Sequence, residues 1–257
     1  MPDWKLGTWG VVDAAFMREH EAELMGAKQL DISPARFDCS RTLKAALVPA
    51  LEQMRFSFLS VGPGENASDT NRALAEFSKL PNLRCLSLPW SYLINDSGAG
   101  HLAKLHQLQE LALESDITDR GLAELGALHQ LRVLDLTCST KFSGSGFAAW
   151  PEMPHLRALI LSVCTGITDE ALCLAAKCPK LDYLVLSGCE RLTNSGLAAL
   201  RGGPALDSIQ IYGARLDLPT VRALRANNPR ADIDCDLDHL PHPERDEANA
   251  ILAARQS

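Results

Sequence analysis

The chain has 257 residues, 46% of them hydrophobic and 22% charged, with a formal net charge of −7, a composition that supports one sizeable globular core. No apolar run reaches the roughly 20 residues of a membrane span, and the amino terminus, MPDWKLGTWG, has no basic stretch followed by an apolar one. Membrane insertion and export are therefore not expected, a cytoplasmic location is, and the acidic balance without clustered Lys and Arg excludes nucleic acid as the default partner.

Residues 1–26 read as an amino-terminal cap. Asp13 to Met25 places Ala14, Phe16, Met17, Ala22 and Leu24 in a polar background, an amphipathic helix preceded by a segment with Trp4 and Trp9. Ala27-x-x-Leu30-x-Ile32 with a helix over about 42–54 forms a first coil. Phe56-x-x-Leu59-x-Val61 with a helix over about 69–80 forms a second, carrying an extended loop at Gly62-Pro63-Gly64. Regular coils then begin at Leu83, Leu108, Leu131, Leu156, Leu181 and Leu206, at spacings of 25, 23, 25, 25 and 25 residues. The Leu131 coil carries Gly144-Ser145-Gly146-Phe147 and Trp150-Pro151 in place of a helix, so its outer side is expected to be irregular. A short strand at about 233–235 closes the last edge, its Asp232, Asp234 and Asp236 guarding against edge-to-edge pairing. Residues 237–257 form a polar tail with a possible helix over 244–255.

The repeat is clearest at 156–205, where LRALILSVCTGITDEALCLAAKCPK is followed by LDYLVLSGCERLTNSGLAALRGGPA. Leu159-x-Leu161 alternates at period two, so both side chains face one side of a short strand. Ile167-Thr168-Asp169 turns the chain, and Thr or Asp there caps a helix whose Leu172, Ala175 and Ala176 face inward. One such coil cannot bury enough to offset its chain entropy, so only stacked neighbours stabilise it. The pattern L-x-x-L-x-L-x-x-C, then I/L-T-D/N and a Leu-bearing helix, resembles the leucine-rich repeat in its cysteine-containing subtype, known from F-box substrate receptors, whose consensus includes the Cys178-Pro179 pair. The resemblance implies a right-handed α/β solenoid over 27–236, a horseshoe of about eight coils with parallel strands concave and helices convex.

Chemistry is sparse. Cys164 and Cys189 share the ninth position of adjacent coils and are expected to be reduced, buried and metal-free, since no Cys-x-x-Cys or paired His accompanies them. Cys173 and Cys178 read as helix-side packing. His106, His129 and His155 precede successive strands as a solvated loop ladder, and the Asp-rich stretch from 232 to 242 lacks the Gly and terminal Glu of a calcium loop. No catalytic, cofactor-binding or metal-binding residue is expected; a thiol-dependent enzyme using Cys39, Cys138 or Cys235 is the alternative from another class.

The expected function is non-enzymatic: a monomeric adaptor binding a protein or peptide through the concave face. The outward strand positions line up in ladders, Phe58, Cys85, Glu110, Val133, Ala158, Tyr183 and Ser208 on one, with Asp135, Ile160, Val185 and Tyr212 on the next two. Tyr183, Tyr212, Ile160, Val185 and Val133 form an apolar, aromatic patch, and Glu110, Glu114 and Asp135 an acidic flank that steers a ligand with a basic edge. The F-box resemblance suggests a substrate-recognition subunit of a ubiquitin ligase as the alternative. The 26 residues before the first coil are too few for a three-helix F-box, and its Leu-Pro start is absent there.

Overall fold

A computed structural model describes residues 4–5, 11–12, 22, 25–32, 36–37, 49–56, 67–88, 91–201 and 206–254. The chain divides into two compact units, Met1–Leu131 and Arg132–Ser257.

In the first unit, strands β1 (Trp4–Lys5), β3 (Gln29–Ile32), β5 (Gln53–Phe56), β6 (Cys85–Leu88) and β7 (Glu110–Leu113) pair in parallel in that order. A separate parallel pair joins β2 (Val11–Val12) to β4 (Arg36–Phe37). Helices α1 (Ala67–Phe77), α2 (Asp96–Leu102) and α3 (Asp119–Leu125) follow β5, β6 and β7. Each strand alternates, so Leu86 and Leu88, then Leu111 and Leu113, are buried while Cys85, Ser87, Glu110 and Ala112 face outward.

Two sequence expectations change here. Trp4 lies in a strand opposite Leu30, extending the sheet beside the first coil; Trp9 and nearly all of the expected 13–25 helix lie outside the described residues. The second coil begins at Leu51, five residues earlier than Phe56. Leu51 and Met54 are fully buried, and Gln53 rather than Phe58 stands opposite Cys85. The expected helix over 42–54 therefore does not reach its end, because 53–56 is strand. Phe58 lies outside the described residues.

In the second unit, β8 (Val133–Asp135), β9 (Ala158–Ile160), β10 (Tyr183–Val185), β11 (Ser208–Ile211) and β12 (Asp232–Cys235) pair in parallel. Their register preserves the 25-residue repeat: Val133, Ala158, Tyr183 and Ser208 are successive partners. The outer side is irregular where the sequence indicated, with a 3-10 helix at Ser145–Ala149. Phe147 there stacks edge-on against Phe142 and Trp150, with ring centroids 6.4 and 5.1 Å away. Lys177 closes this segment by donating from Nζ to the carbonyls of Phe147, Ala148 and Trp150, the first of which also accepts the Trp150 N–H.

The next coil also departs from expectation. Asp169–Lys177 winds as a 3-10 helix, whose three-residue turn brings Ala171 and Leu174 inside; Ala175, expected inward, and Cys178 just past the helix are buried as well. Leu172, expected inside on α-helical spacing, is only half-buried, and Cys173, expected to pack, is exposed. Helices α4 (Asn194–Ala199), α5 (Leu218–Asn227) and α6 (His242–Ala253) complete the unit. The polar tail thus contributes an ordered helix. Arg225 of α5, itself buried, donates to the carbonyls of Ile251 and Leu252 at the end of α6 and to those of Asn228, Pro229 and Ala231. An Arg222–Glu247 ion pair joins the same two helices on the surface.

The Thr-Asp/Asn signature has a specific physical cause. In each unit an Asp that opens one helix reaches across to the start of the next. Asp96 accepts from the Thr118 N–H at 2.7 Å, the Thr118 hydroxyl at 2.8 Å and the Gly121 N–H at 3.2 Å. Asp169 likewise accepts from the N–H and hydroxyl of Thr193 at 2.9 and 2.6 Å. These carboxylates satisfy donors that a helix start leaves free. They also occupy the space of a side chain: a Cβ on Gly121 would lie 2.5 Å from Asp96 Oδ1, and one on Gly196 2.0 Å from Asp169 Cγ. Thr118-Asp-x-Gly121 and Thr193-Asn-x-Gly196 are therefore each interlocked with an Asp of the preceding coil.

Candidate interaction face

The outward face of the second unit is built by register. Val133, Ala158, Tyr183, Ser208 and Asp232 form one row, and Asp135, Ile160, Val185, Gln210 and Asp234 the next. Backbone bonds carry the alignment past the strands, with Cys138 N–H on Ser162 O, Val163 N–H on Ser187 O and Gly188 N–H on Tyr212 O. Thr137, Ser162, Ser187 and Tyr212 therefore form a third row.

Four of the five residues expected to make the apolar patch are accessible here. Val133, Ile160 and Tyr183 are half-buried, and Tyr212 is 42% exposed. Val185, in the same outward row, is 6% exposed and is not available as a contact. The Tyr212 hydroxyl donates to Asp234 Oδ2, and this hydrogen bond, reinforced by burial and the carboxylate charge, raises the phenol above its ordinary value. The bond also draws the ring toward β12. Asp135 lies at the opposite flank, its Oδ1 accepting from the Thr137 N–H at 2.9 Å and hydroxyl at 2.6 Å.

Of the expected acidic flank, only Asp135 belongs to this unit. Glu110 and Glu114 stand on β7 and just after it in the first unit, Glu110 exposed and Glu114 accepting from the Tyr92 hydroxyl. The second unit supplies another flank that sequence reading assigned only to edge protection. Asp232 and Asp234 are exposed on the outward side of β12, and exposed Asp236 follows. Their period-two spacing and the 24-residue offset from Ser208, Gln210 and Tyr212 were the available signal.

The two ninth-position thiols are buried and hydrogen-bonded. Cys164 Sγ donates to Leu136 O and Cys189 Sγ to Leu161 O, each at 3.0 Å, so each ninth-position thiol closes on the strand end of the preceding coil. Burial is the leading cause that pushes the Cys164 thiol up, Cys189 to about 11 and Cys178 to about 12. Cys235 is pushed up to about 11 by burial and by Asp234 and Asp236, which keeps it protonated and non-nucleophilic near neutral pH. Cys39 lies outside the described residues. Among the described residues no group of three or more His, Cys, Asp or Glu is placed to hold a metal ion, and no helix is long and apolar enough to cross a membrane.

These units define a class: parallel β/α coils of the α/β solenoid type, with leucines inward and one strand face outward. The family model described as Leucine Rich repeat matches residues 177–200, which is one such coil. The matched residues form a leucine-rich repeat, and the same coil recurs on either side of them. No curated protein is significantly similar to it. Among solved structures it is similar to a chain in the crystal structure of the Rad7 and Elc1 complex in yeast, at 18% identity and a TM-score of 0.47, over 93% of this chain and 73% of that one. It is also similar to a leucine-rich repeat protein of Leptospira interrogans, at 16% identity and a TM-score of 0.45, over 90% of this chain and 60% of that one.

Proposed function

We propose that the protein is a non-enzymatic binding module whose second unit takes an extended protein or peptide segment across its outward strand face. The observation that supports this most directly is the arrangement of charge around apolar area. Val133, Ile160, Tyr183 and Tyr212 lie between Asp135 on one flank and Asp232, Asp234 and Asp236 on the other. Accessible apolar and aromatic side chains inside a charged rim make a hot spot, in which the aromatics carry the affinity and the rim charges speed approach. The ligand therefore presents an apolar centre with basic residues at its ends.

The test is a selection of peptides from a random phage-displayed dodecamer library on the purified protein, followed by fluorescence anisotropy. Selected peptides should be enriched in Lys and Arg beside apolar residues, and Tyr183→Ala should weaken them by about 2 kcal/mol, roughly 30-fold. Asp232→Asn with Asp236→Asn should slow association mainly at low salt. Unchanged affinity in the Tyr183→Ala, Tyr212→Ala double variant would remove the site from this face.

A further inference from the structure

One position on the second unit is out of keeping with its neighbours. The eighth residue of each coil, where the chain leaves the strand, adopts the left-handed backbone: Cys138 at φ 62°, Val163 at 57°, Gly188 at 72° and Gly213 at 77°. Glycine is the residue suited to that conformation. A β-branched residue there is a genuine outlier, and such strain persists where something other than local stability retains it.

Packing does not retain Val163, because the side chain is 47% exposed. What it does is stand beside bare backbone. A Cβ on Gly188 would lie 3.4 Å from both Val163 Cα and Cγ2, and one on Gly213 3.7 Å from Gly188 Cα, so the three positions are immediate neighbours in order. The preceding row contributes only the small Ser162 and Ser187 before reaching Tyr212, whose ring is held toward β12 by Asp234. The result is a low shelf two strand spacings long, about 10 Å. Val163 walls it at one end, and the Tyr212–Asp234 pair bounds it at the other, with Asp236 beyond.

We propose that this shelf sets the specificity of the binding face: Val163 and the bare backbone at Gly188 and Gly213 receive an apolar side chain of the ligand peptide, and Asp234 and Asp236 hold a Lys or Arg close to it along the chain. This rests on the reading of the strand face given above and narrows it to a motif, an aliphatic residue near a basic one. A flat glycine step lets the ligand backbone approach closely, and a fixed valine wall favours a side chain that reaches it over one that does not.

The experiment uses peptides selected on the wild-type protein from the dodecamer library and measures their binding to Tyr183→Ala and to Val163→Asn. Asparagine tolerates the left-handed backbone and removes the apolar wall. The expected result is a loss of affinity of about tenfold or more in Val163→Asn, while Tm does not fall. Alanine at the aliphatic position of the peptide should lose no further affinity against that variant. A second variant, Gly188→Asn, which keeps the backbone but covers the shelf, should weaken the same peptides. Peptides that need Tyr183 but bind Val163→Asn and Gly188→Asn unchanged would overturn the shelf and leave the face intact. A Tm fall of several degrees in Val163→Asn would make the valine a structural residue and also overturn it. Selection of no peptide dependent on Tyr183 would defeat the reading of the face, and the shelf with it.

Discussion

Replacing Asp96 by Ala tests the device that keys one coil to the next. The carboxylate is 14% accessible and holds four donors, but they are not equivalent. The Thr118 hydroxyl and the Arg120 Nε are exposed and can turn to water, so each contributes little, roughly 0–1 kcal/mol for the ion pair. The Gly121 N–H belongs to a buried residue, and without its acceptor it costs about 1–3 kcal/mol. Loss of a negative charge at the start of α3 adds about 0.3–1 kcal/mol. The sum is about 1–5 kcal/mol, with a fall in Tm of roughly 2–4 °C for each kcal/mol in a chain of this size. The pH dependence gives an independent sign. Burial pushes the Asp96 carboxyl up, but the Thr118 backbone and side-chain bonds, Arg120 and the Gly121 N–H outweigh it and hold it below its ordinary 3.8. A folded value below the unfolded one means a contribution fully present above the unfolded value and lost as pH falls through the folded one. Urea melts should therefore show the same gap between wild type and Asp96→Ala at pH 7 and pH 5, closing only at pH values below 3.8. Gly121→Ala should also destabilise, because its Cβ would meet Asp96 Oδ1 at 2.5 Å, and less so in the Asp96→Ala background where that oxygen is gone. A gap under about 0.5 kcal/mol at pH 7, or strictly additive variants, would refute the interlock.

Arg225→Met should release α6, because five carbonyls lose one guanidinium; hydrogen exchange over 242–253 should lose about 2–4 kcal/mol of protection, and unchanged exchange would show the anchor to be idle. Gly144→Ala combines φ 94° with a Cβ 2.4 Å from Ala171 Cβ and 2.8 Å from Ala171 Cα; chemical denaturation should show a loss of about 3 kcal/mol or more, which Ala171→Gly does not restore because the Cα remains. Iodoacetamide in native buffer at neutral pH should label exposed Cys173 and spare Cys164, Cys178 and Cys189, read by peptide mass spectrometry. Cys189, raised to about 11 from an ordinary 9.0, contributes stability that is complete below the ordinary value and lost as pH rises toward 11. Urea melts at rising alkaline pH should show that decline fall away in Cys189→Ala.

The 25-residue register was legible without coordinates because one face of every strand must be buried. A slip of one residue would turn Leu159, Leu184 and Ile209 to water, so their spacing already implied the pairing of Val133, Ala158, Tyr183 and Ser208. The burial of Cys164 and Cys189 followed from the same repetition. Where two registers satisfied the same pattern, the sequence was ambiguous: Leu51-x-x-Met54-x-Phe56 and Phe56-x-x-Leu59-x-Val61 both read as a coil start, and pairing of Gln53 with Cys85 selected the first. Helix winding was equally open at 169–177, where an α or a 3-10 period chooses between Leu172 and Leu174 for the core. Arg225 on its helix is indistinguishable by sequence from a solvated arginine until α6 folds back over it. Asp234 became part of a binding face only through Tyr212, which the adjacent strand brings to it. Periodicity along a chain determines what each coil buries, since burial repeats with the backbone; what lies opposite a side chain on the next coil is set by stacking, and only the tertiary structure holds that information.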